Sequence, residues 1–130
     1  MAPWHLQINL HHCEAASVNL MRLAENIRPD VIYVQEPWIV KGKPQNVPSG
    51  YDSFFVIGAN AQPRALILTI KSLNAWLRTD LSSGDLCVVQ TKCILGNKPT
   101  LLASAYFPGD QEVVSHELTS LVEYCSSHMA

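Results

Sequence analysis

Asp30-Val31-Ile32-Tyr33-Val34-Gln35-Glu36-Pro37-Trp38 is the stretch on which the fold turns. Val31 to Val34 is a continuous apolar run, the pattern of a strand covered on both faces. It leads into a carboxylate, Glu36, and Pro37-Trp38 then holds that carboxylate at a rigid strand exit. Upstream, Leu6, Ile8 and Leu10 alternate with Gln7 and Asn9 in the period of a first strand. Between Ala15 and Arg28 the spacing of Leu20, Leu23, Ala24 and Ile27 changes to the apolar stripe of an amphipathic helix. Pro29 closes it, because proline disfavours helical geometry in the residue before it. Strand, helix and strand of these lengths suit a right-handed βαβ unit. If the two strands are parallel, Asn9 and Glu36 emerge at the same carboxyl edge, where open α/β sheets build their sites.

Downstream, residues 37–51 carry three prolines, two glycines and two lysines, which reads as a long loop directly after Glu36. Short strands are expected at Ser53–Ile57, Ala65–Lys71, Trp76–Arg78, Leu86–Leu95 and Thr100–Phe107, with Gly96-Asn97 as a hairpin turn between the last two. Leu118, Leu121, Val122 and Cys125 predict a helix over 116–125, with Ser115 as N-cap and Glu117 favoured by the helix dipole.

At 130 residues the chain is one domain at most, and 48% hydrophobic with 15% charged residues marks it as globular. A net charge of −2 leaves no broad basic footprint, so contact with a polyanion must use local patches or a metal. Cys13, Cys87, Cys93 and Cys125 have none of the short paired spacings of zinc sites or small disulfide scaffolds, and are expected as buried thiols in a reducing compartment. Ala2-Pro3-Trp4 brings no basic region or long apolar run after Met1, so the expectation is an intracellular chain with no membrane span.

Glu36 is the strongest single candidate. A carboxylate ending an apolar strand is costly to desolvate unless it is paired or bound to a cation, and a hard oxygen ligand suits Mg²⁺. The competing reading is a solvent-facing strand-end glutamate. Asn9 gains weight from its place beside Glu36, although asparagines at strand ends commonly satisfy backbone groups. Tyr106 lies at another strand exit, before the turn-forming Pro108-Gly109-Asp110, and competes with a core aromatic whose hydroxyl reaches the surface. His11-His12-Cys13 invites a metal reading, but successive side chains on an extended segment point to opposite faces. Lys41 and Lys43 are candidates for phosphate contact or simply solvated charges. Arg64 has the planar fork that suits a backbone phosphate. No P-loop, dinucleotide fingerprint or nucleophile elbow occurs, which leaves a metal-assisted phosphoester reaction as the better match.

Ile8-Asn9-Leu10-His11-His12-Cys13-Glu14-Ala15-Ala16, the Gln35-Glu36-Pro37-Trp38 run and Ala103-Ser104-Ala105-Tyr106-Phe107-Pro108-Gly109-Asp110, in this order, resemble the endonuclease/exonuclease/phosphatase superfamily. More narrowly they resemble the apurinic-like endonuclease domain of insect-type non-LTR retrotransposons. The resemblance implies an α/β (α+β) fold, the N-terminal part of a DNase I-like two-sheet sandwich flanked by helices. It implies Asn9 and Glu36 as metal-site residues, Tyr106 as a hydrogen-bond partner of the scissile phosphate, and Mg²⁺-dependent nicking of DNA that primes reverse transcription, with a nuclear location during nicking. Arg64, Lys41 and Lys43 would then face DNA.

The family continues with an Asp-x-Asn strand and a Ser-Asp-His motif. The sequence ends at Ala130 without either, so residues 1–130 are expected to be a partial domain with little activity alone. An unfinished sandwich should expose an apolar face or an unpaired strand edge and favour self-association. The rival readings are a non-catalytic binding or assembly module and a superfamily phosphoesterase acting on a small substrate.

Overall fold

A computed structural model describes residues 3–57, 62–92, 99–107 and 116–128. Strand β1 (His5–Asn9) is followed by helix α1 (Glu14–Ile27) and strand β2 (Val31–Gln35). β1 and β2 pair in parallel, with His5 opposite Val31 and Asn9 opposite Gln35, so the βαβ reading is correct. Glu14 stands in the first turn of α1, where the helix dipole favours an acid. Arg28 ends the helix in left-handed geometry, with φ 52° and its N–H on the Ala24 carbonyl. Pro29 is buried, and its carbonyl accepts a hydrogen bond from the Tyr51 hydroxyl.

The segment after Glu36 is not structureless. It holds a short hairpin of β3 (Ile39–Val40) and β4 (Lys43–Pro44), whose two-residue strands are too short to show a period in sequence. β5 (Tyr51–Phe54) starts two residues earlier than expected and stops before Ile57. β6 (Ala65–Ile70) completes the first sheet in the order β1-β2-β6-β5, antiparallel to both neighbours. β7 (Trp76–Leu77), β8 (Leu86–Thr91) and β9 (Thr100–Ala105) form a second, antiparallel sheet. Helix α2 (His116–His128) runs three residues past the expected Cys125 end. Gly96-Asn97, Cys93, Pro108-Gly109-Asp110 and Ser115 lie outside the described residues, so the turn and cap expected there are not observed.

Side-chain alternation along the central strands builds four layers. Ile32, Val34, Leu66 and Leu68 point to α1 and pack with Leu10, Leu20 and Ala24. Their neighbours Val31, Ala65 and Ile67 point the other way and meet Cys87, Val89 and Leu102 of the second sheet. Leu86 and Val88 face Leu121 of α2. The period-two reading of each strand thus generates three apolar interfaces from two sheets and two helices.

One polar chain crosses the inter-sheet layer. Gln7 Nε2 donates to the side-chain oxygen Oε1 of Gln35, Gln35 Nε2 donates to Ser104 Oγ at 2.8 Å, and Ser104 Oγ donates to the Val34 carbonyl at 3.2 Å. Among the described residues, β1 and β9 each have a strand on one side only. Among the described residues no helix is long and apolar enough to cross a membrane.

The cysteines divide. Cys87 is fully buried and its thiol donates to the Phe54 carbonyl, whereas Cys13, expected to be buried, is exposed. Cys13 sits at the N-cap of α1, where the chain leaves the sheet for the helix and the apolar stripe has not begun.

Burial pushes the Cys87 thiol from its ordinary 9.0 up to about 12, and the Tyr33 phenol from 10.0 up to about 12. Both keep their protons when folded at a pH where the unfolded chain gives them up. Their contribution to stability is therefore complete below about pH 9 and is lost as the pH rises toward 12. Urea midpoints should fall across that window, and the slope should be shallower in a Cys87→Ala, Tyr33→Phe double variant.

Candidate active site

Because β1 and β2 run in parallel with Asn9 opposite Gln35, Glu36 stands one residue beyond the last pair, at the carboxyl edge. Three backbone hydrogen bonds fix that exit: Leu10 N–H to the Gln35 carbonyl, His12 N–H to the Glu36 carbonyl and Glu36 N–H to the Arg64 carbonyl, each 2.9 Å. Glu36 itself is left-handed, with φ 50°. A side chain with a Cβ is strained there, and that conformation turns the carboxylate away from the strand direction.

Asn9 Nδ2 donates to Glu36 Oε1 at 3.1 Å, so the two residues expected at one edge are in contact. Asn9 Oδ1 accepts the His11 N–H at 2.8 Å, which commits the amide oxygen to the turn. The amide therefore presents nitrogen, not oxygen, to Glu36. In this arrangement Asn9 orients the carboxylate rather than adding an oxygen beside it.

His12 approaches the other carboxylate oxygen, with Nε2 3.3 Å from Glu36 Oε2, while its Nδ1 lies 3.2 Å from the Pro37 carbonyl. Sequence reasoning missed this contact because it treated His11 and His12 as extended. Both have φ 52°, and the resulting turn folds His12 back over Glu36. The Glu36 side chain keeps 20% of its exposure, enough for a hydrated ion to reach it. Among the described residues no group of three or more His, Cys, Asp or Glu side chains is placed to hold a metal. One partly open carboxylate fits the habit of Mg²⁺, which takes one or two carboxylates and fills its remaining positions with water and phosphate oxygens.

Tyr106 follows β9, at a strand end of the second sheet. Its N–H donates to the Asp85 carbonyl at 2.8 Å, and its ring lies under the Arg64 guanidinium, 4.7 Å from Arg64 Cζ to the centroid. Arg64 donates through Nε and Nη2 to the two Asp85 carboxylate oxygens at 2.8 and 2.7 Å. Those hydrogen bonds raise the Arg64 pKa above its ordinary range, and the charges of Tyr106 and Glu36 add to the shift. Arg64 thus joins Glu36, through its backbone, to Tyr106, through its face. Its fork, expected on a DNA phosphate, is filled by Asp85, a residue that nothing in the Ser82-Ser83-Gly84-Asp85 turn singles out in sequence. Lys41 and Lys43 are exposed on the β3–β4 hairpin.

Two sheets packed face to face with a helix on each outer side form a DNase I-like α+β fold. No family model and no curated protein matches the chain. Among solved structures it is similar to the endonuclease domain of TRAS1, a telomere-specific non-LTR retrotransposon, with a TM-score of 0.76 and 20% identity. The match covers 100% of this chain and 56% of that one, so the chain spans little more than half the length of the structure it matches. At that identity the likeness shows the fold, and the chemistry rests on the site.

The strain at Glu36 has a measurable consequence. Glu36→Ala and Glu36→Gly both delete the carboxylate, but only glycine tolerates φ 50° without cost. The glycine variant should be more stable than the alanine variant by about 1–2 kcal/mol in urea unfolding.

Proposed function

We propose that the chain carries part of a Mg²⁺-dependent, phosphodiester-cleaving endonuclease domain of retrotransposon origin, one that nicks DNA so that the freed 3′ end primes reverse transcription. The single observation that carries this reading is the contact of Asn9 with Glu36 at the carboxyl edge of the first sheet, with Arg64 bridging Glu36 to Tyr106 of the second. Glu36 would hold the cation together with waters and phosphate oxygens, and Asn9 would fix the rotamer of Glu36. When bound, that ion would neutralise charge developing on the phosphodiester. The Tyr106 hydroxyl would donate a hydrogen bond to a non-bridging phosphate oxygen, a role whose value grows as negative charge builds there. Lys41 and Lys43, on the hairpin leaving Glu36, would contact the DNA backbone to either side and add affinity without sequence preference. Such a reaction would take place on chromosomal DNA, in the nucleus.

A second reading is favoured by one observation, the strand edges of β1 and β9 left without a further partner among the described residues. Such edges are templates for pairing, so the chain would serve as an assembly module that associates with itself through its sheets. Sedimentation across a concentration series separates the two, because an assembly module dimerises and does not nick.

Activity of the 130 residues alone should be low. Among the described residues Asp85 is tied to Arg64, which leaves Glu36 as the carboxylate beside Arg64 that is open to a cation. Among the described residues we assign no general base, and loss of a positioned general base typically removes a factor of ~10²–10⁴ in rate. Nicking of supercoiled plasmid with Mg²⁺ is expected to be faint or undetectable for this chain. It should become strong and dependent on Glu36 when the chain is joined to the remaining part of the structure it resembles. Nicking that survives Glu36→Ala would place the chemistry elsewhere, and turnover of a soluble phosphate ester in its stead would favour the small-substrate phosphoesterase.

A further inference from the structure

Arg64 and Asp85 form an ion pair whose side chains keep 40% and 37% of their exposure, and such open pairs add little to stability. Its geometry is nevertheless tightly determined. Two parallel N–H donors on two carboxylate oxygens fix the plane of the guanidinium, not merely its position. The Asp85 end is anchored in turn: its N–H donates to Ser83 Oγ at 3.3 Å, and Ser83 N–H donates to the Leu86 carbonyl at 2.7 Å across the turn. The Arg64 end is anchored as well, because its N–H donates to the Gly84 carbonyl at 2.7 Å and its carbonyl accepts the Glu36 N–H at 2.9 Å. A plane held at both ends lies over the Tyr106 ring.

We propose that Arg64 and Asp85 are positioning residues that set the tilt of the Tyr106 ring, and so aim its hydroxyl at the phosphodiester bound beside Glu36. Arg64 acts on that substrate through Tyr106 rather than as a free phosphate anchor. The inference rests on the phosphodiesterase reading for its target, while the ring geometry stands without it. Tyr106 needs such a device because it lies one residue past the end of β9, and its N–H bond to Asp85 restrains the backbone but leaves the ring free to turn. A cation held flat against the face of a phenol restricts that rotation. Lysine cannot replace it, since an ammonium has neither plane nor fork.

The test uses the full chain with its four tyrosines replaced by 3-fluorotyrosine and observed by fluorine NMR, the Tyr106 signal being assigned from Tyr106→Phe. Without DNA, Asp85→Asn and Arg64→Lys should each move the Tyr106 signal and leave those of Tyr33 and Tyr51 in place. With Mg²⁺ and a short DNA duplex, the wild-type Tyr106 signal should shift on titration, and Asp85→Asn should weaken the apparent affinity about tenfold, the scale of one misdirected hydrogen bond. The Asp85→Asn, Tyr106→Phe double variant should lose no more affinity than Tyr106→Phe alone. A Tyr106 signal that neither variant moves would overturn the inference while leaving the nuclease reading intact, as would additive losses, which identify Arg64 as a direct phosphate anchor. A wild-type Tyr106 signal unmoved by the duplex would instead remove the nuclease reading, and with it the target, whatever the variants do in the absence of DNA.

Discussion

The parallel, in-register pairing of β1 with β2 is the constraint on which the rest of this structure depends. A parallel pair needs a crossover, and α1 supplies it by burying Leu20 and Ala24 on Ile32, Val34, Leu66 and Leu68. Once the register is Asn9 opposite Gln35, the next residue on β2 must leave the sheet beside the end of β1. That residue is Glu36, and its backbone N–H is already claimed by the carbonyl of Arg64, the residue before β6 on its other side. A slip of one residue would turn Val31 and Ile32 to the wrong layers, so the apolar pattern that builds the core also locks the polar exit in place.

Local cost and site geometry coincide at this exit. His11, His12 and Glu36 all take left-handed backbone, which bulky side chains adopt at a penalty, and all three fall within one small region. The hydrogen bonds among Asn9, His11, His12 and Glu36 over-determine the turn and hold it against that penalty. The result is a carboxylate gripped by an amide on one oxygen and faced by an imidazole on the other. An ion that binds Glu36 therefore meets a rotamer already chosen, at the price of competing with His12 for the second oxygen.

Much of this was legible in the sequence, and what was not had physical reasons. Alternation at Leu6-Ile8-Leu10, the stripe through Leu20-Leu23-Ala24-Ile27, and Pro29 read correctly because burial forces those periods and proline forces that stop. The β3–β4 hairpin escaped because two-residue strands carry no period. His12 escaped because its reach to Glu36 depends on positive φ, which neither histidine announces. Arg64 was found, but its fork was assigned to a phosphate because its partner, Asp85, sits in a turn whose residues look like any polar turn. Cys13 was misplaced because a cysteine near an apolar segment usually belongs to it, whereas this one caps the helix from outside.

The inter-sheet layer explains why Glu36 and Tyr106 can serve one site although they belong to different sheets. Apolar packing of Val31 and Ile67 on Cys87, Val89 and Leu102 holds the sheets together, but contacts of this kind are non-directional and tolerate sliding. The Gln35–Ser104 hydrogen bond does not tolerate it, because a buried amide that loses its partner bears the full desolvation cost of about 1–3 kcal/mol. Gln35 directly precedes Glu36, and Ser104 stands two residues before Tyr106, so this bond fixes the relative position of the two exits from beneath. Arg64 fixes it from above, through its carbonyl on Glu36 and its face on Tyr106. With one polar tie on each side, the separation between carboxylate and phenol is set by directional bonds rather than by the packing of the core. A binary apolar pattern can describe that core, and for the same reason it cannot by itself reveal the site.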